Sequence, residues 1–280
     1  MKHPKVSIVI LDFLKASRVV ENVESILKQR AAFQFEIIIV DNSCNEKNAE
    51  TLQQLEKYEN VSVIINEKNV GYTRGNNLGV RRAEGEFIAI VNPDIIWRDN
   101  DVLQKLVDFG EKNPEVGIWA PKQINDDGSR PITVRAFPKF FVQIARRTFL
   151  RKLPGIKKIV AYDEMQHLDY DKTQEVDWIQ SSFIMMRKEF WDELGSFDEA
   201  YFIFMSDAEL CWQSWKRGKK VMLYPEAKVY ADGIRCSRGG FFTLFKSKIL
   251  RQHVIDALRY FKKHLFEKNP KKTKIKNSDK

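Results

Sequence analysis

Asp94 is the residue whose type and position suggest chemistry most directly in this sequence. It closes the tripeptide Asn92-Pro93-Asp94, which follows the apolar run at residues 87–91. A short apolar run bounded by a Pro-containing turn is typical of a buried strand that ends there. Ligands of open α/β sheets bind beyond the carboxyl ends of such strands, and hard divalent cations prefer oxygen ligands. Asp94 is therefore well placed to hold a cation against a phosphate, although on the tripeptide alone a strand-ending turn with Asp94 as a solvated cap is the favoured interpretation.

Other polar residues follow the neighbouring apolar runs. Asp12 ends the first run, and Asp41 ends the second. The third run is followed by a group of polar residues and a glycine, namely Asn69, Gly71, Arg74, Asn76 and Asn77. Each of these residues alone suits an ordinary turn or cap. Because the carboxyl ends of parallel strands meet at one sheet edge, together they predict a nucleotide-binding edge.

The elements that position these residues alternate between strand and helix over the first 120 residues. Buried strands are predicted at residues 6–11, 36–40, 61–65, 87–91 and 116–120. Apolar residues at helical spacing predict helices at residues 16–28, 46–58, 73–83 and 101–112. This alternation predicts an α/β fold with a central, mostly parallel sheet flanked by helices.

The second half of the chain is less regular. Residues 137–171 suit a mobile loop or short helices, and short strands are predicted at residues 176–178, 182–186, 220–223 and 228–230. Helices are predicted at residues 188–194, 207–216 and 243–264. Residues 266–280 are expected to form a basic, disordered tail. The apolar residues before this tail suit either docking on the core or a membrane interface.

Composition limits the possible classes of protein. The chain has 280 residues, of which 43% are hydrophobic, enough for one large α/β domain or two small ones. The net charge of +9 predicts an anionic partner, such as a nucleic acid, a nucleotide or an acidic membrane surface. The three cysteines form no disulfide framework, so a cytoplasmic setting is expected. The sequence has no signal-peptide pattern and no apolar run near ~18 residues, so any membrane contact is expected to be peripheral.

Several enzyme and cofactor classes lack their sequence motifs. The first βα turn has no GxGxxG, which disfavours a dinucleotide-binding site, and the P-loop pattern is absent. HExxH is missing and the four histidines are scattered, so a zinc site has little support. The absence of GxSxG weakens the case for an α/β-hydrolase.

A series of motifs runs through most of the chain in a specific order. These motifs are Val40-Asp41-Asn42-Ser43, Asn69-Val70-Gly71-Tyr72-Thr73-Arg74-Gly75-Asn76-Asn77-Leu78-Gly79, Asn92-Pro93-Asp94, Trp178-Ile179-Gln180-Ser181-Ser182, Gly195-Ser196-Phe197-Asp198-Glu199, Ser206-Asp207-Ala208-Glu209-Leu210-Cys211 and Arg259-Tyr260-Phe261-Lys262-Lys263-His264. In this order they resemble the family 2 glycosyltransferases, especially the bacterial rhamnosyltransferase-like branch. The resemblance implies one GT-A domain over residues 1–265, made of a nucleotide-binding half (1–120), an acceptor-side half (121–238) and a C-terminal helix (239–265).

The resemblance also implies roles for the matching residues. Asp41 would read the base of a nucleotide-sugar donor, and Asp94 would contact the donor diphosphate and a divalent cation, Mg²⁺ or Mn²⁺. The donor side would comprise Asp12, Asp41, Asn69, Gly71, Arg74, Asn76, Asn77, Asn92 and Asp94. Asp207 would be the catalytic base, and the acceptor or sugar pocket would include Trp178, Asp198, Glu199 and Glu209.

The sequence departs from the family pattern at three places. Asn92 stands where many relatives carry the first Asp of a DxD motif. Ser206 replaces the Glu that usually precedes the base. A late metal-binding His is missing, and Asp232 is the candidate that takes its place as a metal ligand.

The predicted function is inverting transfer of a sugar from a nucleotide donor to a glycan or lipid-linked acceptor, and the resemblance alone implies dTDP-rhamnose as the leading donor. The expected setting is the cytoplasmic face of the cell membrane, during assembly of cell-surface polysaccharide. No nucleic-acid partner is expected. The alternatives are a nucleotidyltransferase, a non-catalytic protein that binds nucleic acid or an anionic surface, and an inactive relative of the family.

Overall fold

A computed structural model describes residues 3–233 and 248–271 of the chain. The strands are β1 Val6–Asp12, β2 Phe35–Asp41, β3 Val61–Ile65, β4 Phe87–Val91, β5 Val116–Asn125, β6 Val134–Arg135, β7 Gln174–Glu175, β8 Trp178–Ile179, β9 Phe183–Arg187 and β10 Lys220–Ala231. The α-helices are α1 Ala16–Ile26, α2 Glu46–Gln53, α3 Tyr72–Arg82, α4 Val102–Lys112, α5 Phe140–Arg147, α6 Pro154–Asp163, α7 Lys188–Leu194, α8 Ser206–Lys216 and α9 Lys248–Lys263.

Eight of the strands form one sheet in the order β3-β2-β1-β4-β9-β5-β10-β7. The first four of these pair in parallel, and β5 pairs in parallel with β10. Strands β9 and β7 run antiparallel to their neighbours. The predicted α/β fold with a mostly parallel sheet is therefore confirmed.

The first strands appear in the sequence as apolar runs because they are buried. All five residues of β4 are buried, because helices cover both faces of a parallel sheet. Helix α1 presents one apolar stripe, with Val19, Val23 and Ile26 fully buried at spacings of four and three residues. The carboxyl ends of β1, β2 and β4 consequently lie side by side at one edge.

Strand β10 differs from the prediction. Residues 220–223 and 228–230 belong to one strand rather than two, and its ladder with β5 shifts register between Tyr224 and Lys228. Pro225 lies inside that interval, and a proline has no N–H to donate to a ladder. The irregularity therefore interrupts the apolar pattern without ending the strand.

Residues 137–171 contain helices, which confirms one of the two predicted alternatives. Helices α5 and α6 are joined by a 3₁₀ turn at Phe149–Lys152. They enclose a small core of their own, formed by Val142, Ala145 and Val160. This core is separate from the one beneath the sheet.

Helix α9 packs against the main body through Leu250 and Tyr260, which are buried. Its Asp256 is fully buried and accepts hydrogen bonds from the backbone N–H groups of residues 202–204, at 3.3, 3.1 and 3.0 Å. The predicted helix start at residue 243 and most of the predicted tail lie outside the described residues. Within the described ranges, every helix is too short or too polar to cross a bilayer.

Candidate active site

The carboxyl ends of β1 and β2 bring Asp12 and Asp41 side by side. The two residues are partners in the parallel ladder, and both are almost fully buried. The side-chain amide of Asn48 donates to Asp12 Oδ2 at 2.7 Å and to Asp41 Oδ1 at 3.2 Å. Burial raises the pKa of Asp12. Asp41 Oδ2 is buried and has no hydrogen-bond partner among the described residues, so it can accept a hydrogen bond from a ligand.

Asn42 fixes the segment that follows β3. Its Nδ2 donates to Asn69 Oδ1 at 3.0 Å and to the Gly71 carbonyl at 3.2 Å, while its Oδ1 accepts from the Val70 N–H at 3.1 Å. Gly71 has a φ of 86°, and a Cβ at this position would lie 2.7 Å from the Phe202 carbonyl oxygen. Helix α3 therefore begins at a fixed point beside the edge.

The turn Asn92-Pro93-Asp94 leaves β4 at the same edge. The Asn92 carbonyl accepts a hydrogen bond from Asn22 of α1 at 2.9 Å. The Asn92 N–H donates to the Ser182 carbonyl at 2.8 Å. These two bonds hold the turn that carries Asp94.

Asp94 lies next to Asp232, although the two residues are far apart in the sequence. A bridge between Ile96 and Tyr230 brings the end of β10 against the turn after β4. Lys15 Nζ lies 4.0 Å from Asp94 Oδ1 and 3.6 Å from Asp232 Oδ2. The two residues predicted to bind a metal are thus close together, with a lysine beside both.

The donor set of this pair fits a cation that binds together with a phosphate. Burial raises the pKa of Asp94 to about 6; Lys15 opposes this shift, and the charge of Asp232 adds to it. The described residues contain no group of three or more His, Cys, Asp and Glu suited to a metal ion. Two carboxylates are nevertheless the usual protein share of a Mg²⁺ site whose other ligands are water and substrate phosphates.

Asp207 lies in the first turn of α8. Its Oδ1 accepts from the Ala208 N–H at 2.9 Å, and its Oδ2 accepts from the Ser181 N–H at 3.3 Å. Burial raises the pKa of Asp207 to about 6, although these two hydrogen bonds oppose the shift. Such a carboxylate is ionised at neutral pH and is basic enough to accept a proton from a substrate.

Tyr72, the first residue of α3, connects the two carboxylate positions. Its hydroxyl donates to the Ser181 carbonyl at 2.8 Å. Burial raises the pKa of Tyr72, and the negative charges of Asp207 and Asp94 add to the shift. Both carboxylates therefore lie near one phenol, which remains protonated.

The remaining predicted donor residues do not all face this edge. Asn76 Nδ2 donates to the Tyr72 carbonyl at 2.9 Å, and its Oδ1 is buried with no partner among the described residues. Asn77 instead holds Phe197, donating to its carbonyl at 2.9 Å and accepting from its N–H at 3.1 Å. Arg74 Nε lies 3.2 Å from Glu199. Asn77 and Arg74 thus contact residues 197–199 rather than the strand ends.

Three of the four predicted acceptor residues meet at a different place. Asp198, Glu199 and Glu209 line a cleft of about 410 Å³, and none of the edge carboxylates Asp12, Asp41, Asp94 and Asp207 lines it. Glu209 is 3% exposed, with His264 Nε2 at 2.6 Å and Lys263 Nζ at 3.0 Å. Although burial acts to raise the pKa of Glu209, hydrogen bonds from these and other side chains lower it to about 2.

Trp178, the fourth predicted acceptor residue, packs in the core. Its side chain is 7% exposed, and its indole N–H donates to the Ala136 carbonyl at 2.9 Å. This placement fixes the short β6–β8 pair, which precedes Ser181 in the chain. Among the described residues, the Trp178 side chain therefore hydrogen-bonds to the backbone and not to another predicted site residue.

Sequence reasoning assigned no role to Asn48, Lys15 and Tyr72. Asn48 sits in the first turn of α2, where it bonds to its own cap, Asn45, at 2.9 Å. Helix capping explains the contact between Asn48 and Asn45. It does not indicate the second bond, from the Asn48 side chain to Asp12. Tyr72 lies inside the glycine- and asparagine-rich run at residues 69–79. Its place in that run is the sequence feature that points to a role at the site.

The sequence profile described as glycosyl transferase family 2 matches residues 7–191. The chain is 24% identical to an N-acetylglucosaminyl-diphospho-decaprenol L-rhamnosyltransferase of Mycobacterium tuberculosis over 69% of its own length, and it spans 65% of that protein. It is also 24% identical to the rhamnosyltransferase WbbL of Escherichia coli, over 81% of each chain.

Solved structures with the same fold include two transferase complexes. GalNAc-T7 with UDP, GalNAc and Mn²⁺ aligns with a TM-score of 0.60 and 18% identity, over 82% of this chain and 44% of that one. The Pyrobaculum calidifontis mannosyltransferase PcManGT with GDP-Man and Mn²⁺ aligns with a TM-score of 0.58 and 16% identity, over 92% and 65%. The fold is therefore GT-A, as predicted, and this chain belongs to glycosyl transferase family 2.

Proposed function

We propose that this protein is an inverting glycosyltransferase that moves a sugar from a nucleotide donor to a glycan or lipid-linked acceptor. Rhamnose from dTDP-rhamnose is the leading donor, supported by the rhamnosyltransferase names of two relatives. The observation that carries the proposal is the position of Tyr72, whose hydroxyl bonds to Ser181 and lies near enough to both Asp207 and Asp94 for their charges to act on it. The relative that acts on a diphospho-decaprenol supports a lipid-linked acceptor at the inner face of the membrane.

The donor is assigned to the edge formed by β1, β2 and β4. Asp41 Oδ2, buried with no partner among the described residues, would accept a hydrogen bond from the base of the nucleotide. Asn48 and Asn42 hold the surrounding residues before any ligand arrives, so little ordering would accompany donor binding. Lys15 lies where its charge would face the diphosphate.

Asp94 and Asp232 would hold the divalent cation. When bound, the cation supplies charge neutralisation for the departing nucleoside diphosphate. Lys15, which lies within 4.0 Å of both carboxylates, would contribute positive charge to the same end of the donor.

Asp207 would perform the proton transfer. Its carboxylate takes the proton of the acceptor hydroxyl while that oxygen bonds to the anomeric carbon, and the bond from this carbon to the diphosphate oxygen breaks with its electron pair. Attack opposite the leaving group inverts the anomeric configuration. The N–H groups of Ala208 and Ser181 hold the carboxylate in one orientation for this step.

A thermal-shift panel of nucleoside diphosphates and sugar nucleotides, with and without Mg²⁺ or Mn²⁺, tests the donor assignment. A ligand that binds only the folded state raises its stability, so dTDP or UDP should stabilise the protein more when metal is present. Asp94→Ala should remove the metal-dependent part, whereas Asp99→Ala, an exposed carboxylate in the loop after β4, should not. A response to DNA or RNA and none to any nucleotide would contradict the proposal.

A further inference from the structure

Exposed apolar side chains are concentrated in two segments of this protein. Of 17 exposed large hydrophobic side chains in the described residues, 13 belong to residues 140–162 or 249–266. They are Phe140, Phe141, Ile144, Phe149, Leu153, Ile159 and Tyr162 in the first segment and Ile249, Val254, Ile255, Leu258, Leu265 and Phe266 in the second. Large apolar groups gathered in this way mark an interaction site rather than ordinary surface.

The two segments meet at one aromatic contact, and we call the surface that they form together the apolar–basic face. The rings of Phe140 and Phe261 meet edge to face, with centroids 5.4 Å apart. Val254 and Leu258 lie seven and three residues before Phe261, on the same side of α9, and Leu265 follows beyond the end of the helix. Helices α5 and α6 keep their own small core beneath the face, so its outer side chains are not required for internal packing.

The apolar–basic face carries strong positive charge. Between residues 139 and 158 the sequence has seven Lys and Arg residues and no Asp or Glu. Lys152, Lys157 and Lys158 are exposed, next to the apolar residues Leu153 and Ile159. Basic residues interleaved with aromatic and aliphatic side chains are typical of segments that lie in a membrane interface.

We propose that the apolar–basic face docks on an anionic lipid bilayer. The aromatic and aliphatic side chains enter the headgroup region, and the lysines contact lipid phosphates. Charge complementarity favours this occupant over a second copy of the chain, because two such faces would bring like charges together.

The apolar–basic face is connected to the carboxylate assigned as the base. Asp163, at the end of α6, is buried and lies 3.7 Å from Arg135 Nη1 and 3.2 Å from Arg146 Nη1. Arg135 is close enough to Asp207 for its charge to stabilise that carboxylate. This part of the inference rests on the proposed function: a docked face would hold Asp207 at a fixed height above the bilayer, where a lipid-linked acceptor presents its sugar.

Co-sedimentation of the full chain with vesicles tests the docking directly and needs no donor or acceptor. Vesicles of phosphatidylcholine alone are compared with vesicles that also contain phosphatidylglycerol. We expect sedimentation with the anionic vesicles, and at least about tenfold weaker binding after the charge reversals Lys152→Glu, Lys157→Glu and Lys158→Glu together. The matched control reverses three other exposed lysines, Lys28, Lys57 and Lys112, and should lose much less.

A second variant separates the apolar contribution. Phe149→Ser with Phe266→Ser removes the side chains that are 76% and 94% exposed, and it should weaken binding to both kinds of vesicle. Ile65→Ser, at an exposed site far from the face in sequence, serves as control. Circular dichroism shows whether each variant is folded.

Two outcomes would overturn the docking proposal. One is wild-type protein that stays in the supernatant with anionic vesicles. The other is a wild-type dimer in sedimentation velocity that the Phe149→Ser, Phe266→Ser variant converts to monomer, which would assign the face to a second copy. Because the thermal-shift response to nucleotides does not depend on vesicles, failure of docking is distinguishable from failure of the proposed transferase function.

Discussion

The carboxyl group of Asp207 is largely shielded from water at the start of α8. It accepts hydrogen bonds there from two backbone N–H groups. Asp207→Asn keeps the size of the side chain and one acceptor oxygen, but an amide NH2 group replaces the second oxygen and the side chain cannot accept a proton. We expect transfer to fall by about 10²–10⁴-fold while nucleotide binding is retained.

Because the pKa of Asp207 is raised to about 6, wild-type kcat/KM should fall as pH decreases below about 6. Steady-state assays across pH, with equilibrium binding of dTDP or UDP, check both outcomes.

The same raised pKa makes the Asp207 carboxylate unfavourable for stability. Since its pKa is higher in the folded state than its ordinary 3.8, stability is lost as pH rises through about 6 and is unaffected below 3.8. The effect of Asp207→Asn on the free energy of unfolding should therefore be more favourable at pH 8 than at pH 4, by about 1–3 kcal/mol. Urea denaturation at the two pH values measures this, and an equal change at both would contradict it.

Lys15 competes with a divalent cation for Asp94 and Asp232 when no diphosphate is present. Lys15→Gln should bind Mn²⁺ more tightly than wild type in the absence of nucleotide, because the ammonium no longer neutralises the carboxylates. Lys15→Arg keeps the charge and should resemble wild type. Electron paramagnetic resonance of free Mn²⁺ gives the affinities, and identical values for all three proteins would exclude the competition.

Part of the candidate site was predictable because its residues end recognisable strands. Asp12, Asp41 and Asp94 were found in this way, and their roles stay predictions. Asp232 was suggested only through resemblance, since its approach to Asp94 depends on a bridge between two remote segments. Glu209 is predicted in the acceptor or sugar pocket and Asp207 as the catalytic base, and residues two apart on a helix point to different sides. The sequence spacing alone therefore indicates that Asp207 and Glu209 lie on different sides of α8.

At the scale of elements, the start of α3 depends on Gly71. Its φ of 86° and ψ of 175° lie in a region that is essentially restricted to glycine, and a Cβ would meet the Phe202 ring at 2.6 Å. Gly71→Ala should destabilise the protein by about 2–4 kcal/mol and displace Tyr72.

Gly195 provides a matched control for this substitution. It has a φ of 82°, but a Cβ added there would meet no atom within 4 Å, so only backbone strain applies. Gly195→Ala should cost about 1 kcal/mol. Thermal unfolding compares the two variants, and equal losses would mean that the Phe202 contact adds nothing.

The elements that sequence predicted best are buried on all sides. Strand β4 reads as an unbroken apolar run because every residue in it is buried. The sequence predicts helices in residues 137–171 only as an alternative to a mobile loop, because α5 and α6 span eight and ten residues and a 3₁₀ turn separates them. Strand β10 was divided because Pro225 interrupts its pattern while the ladder resumes beyond it. The division of the chain into two functional halves stays a prediction.

At the scale of the whole molecule, α9 holds the segment that leads to the base. Asp256 accepts hydrogen bonds from three backbone N–H groups of residues 202–204, and the Phe202 carbonyl in turn accepts from the Tyr72 N–H at 2.7 Å. Asp256→Ala should lower the free energy of unfolding by about 2–4 kcal/mol, because buried N–H groups lose their acceptor. It should also reduce kcat.

Arg251→Ala, an exposed position on the same helix, is the control for Asp256→Ala. Chemical denaturation and steady-state kinetics give both quantities. A variant that is destabilised but retains full kcat would show that α9 supports the fold without positioning Asp207.

The place of Asp256 in the chain has a consequence for synthesis. Residues 202–204 are made before α9, and their N–H groups gain this acceptor only after Asp256 has left the ribosome. Strands β1 to β4, to whose edge we assign the donor, precede all of these residues and can pair among themselves earlier. A nascent chain would therefore form the strand edge that carries Asp12, Asp41 and Asp94 first, and the segment that leads to Asp207 would be held in place only after α9 has been made.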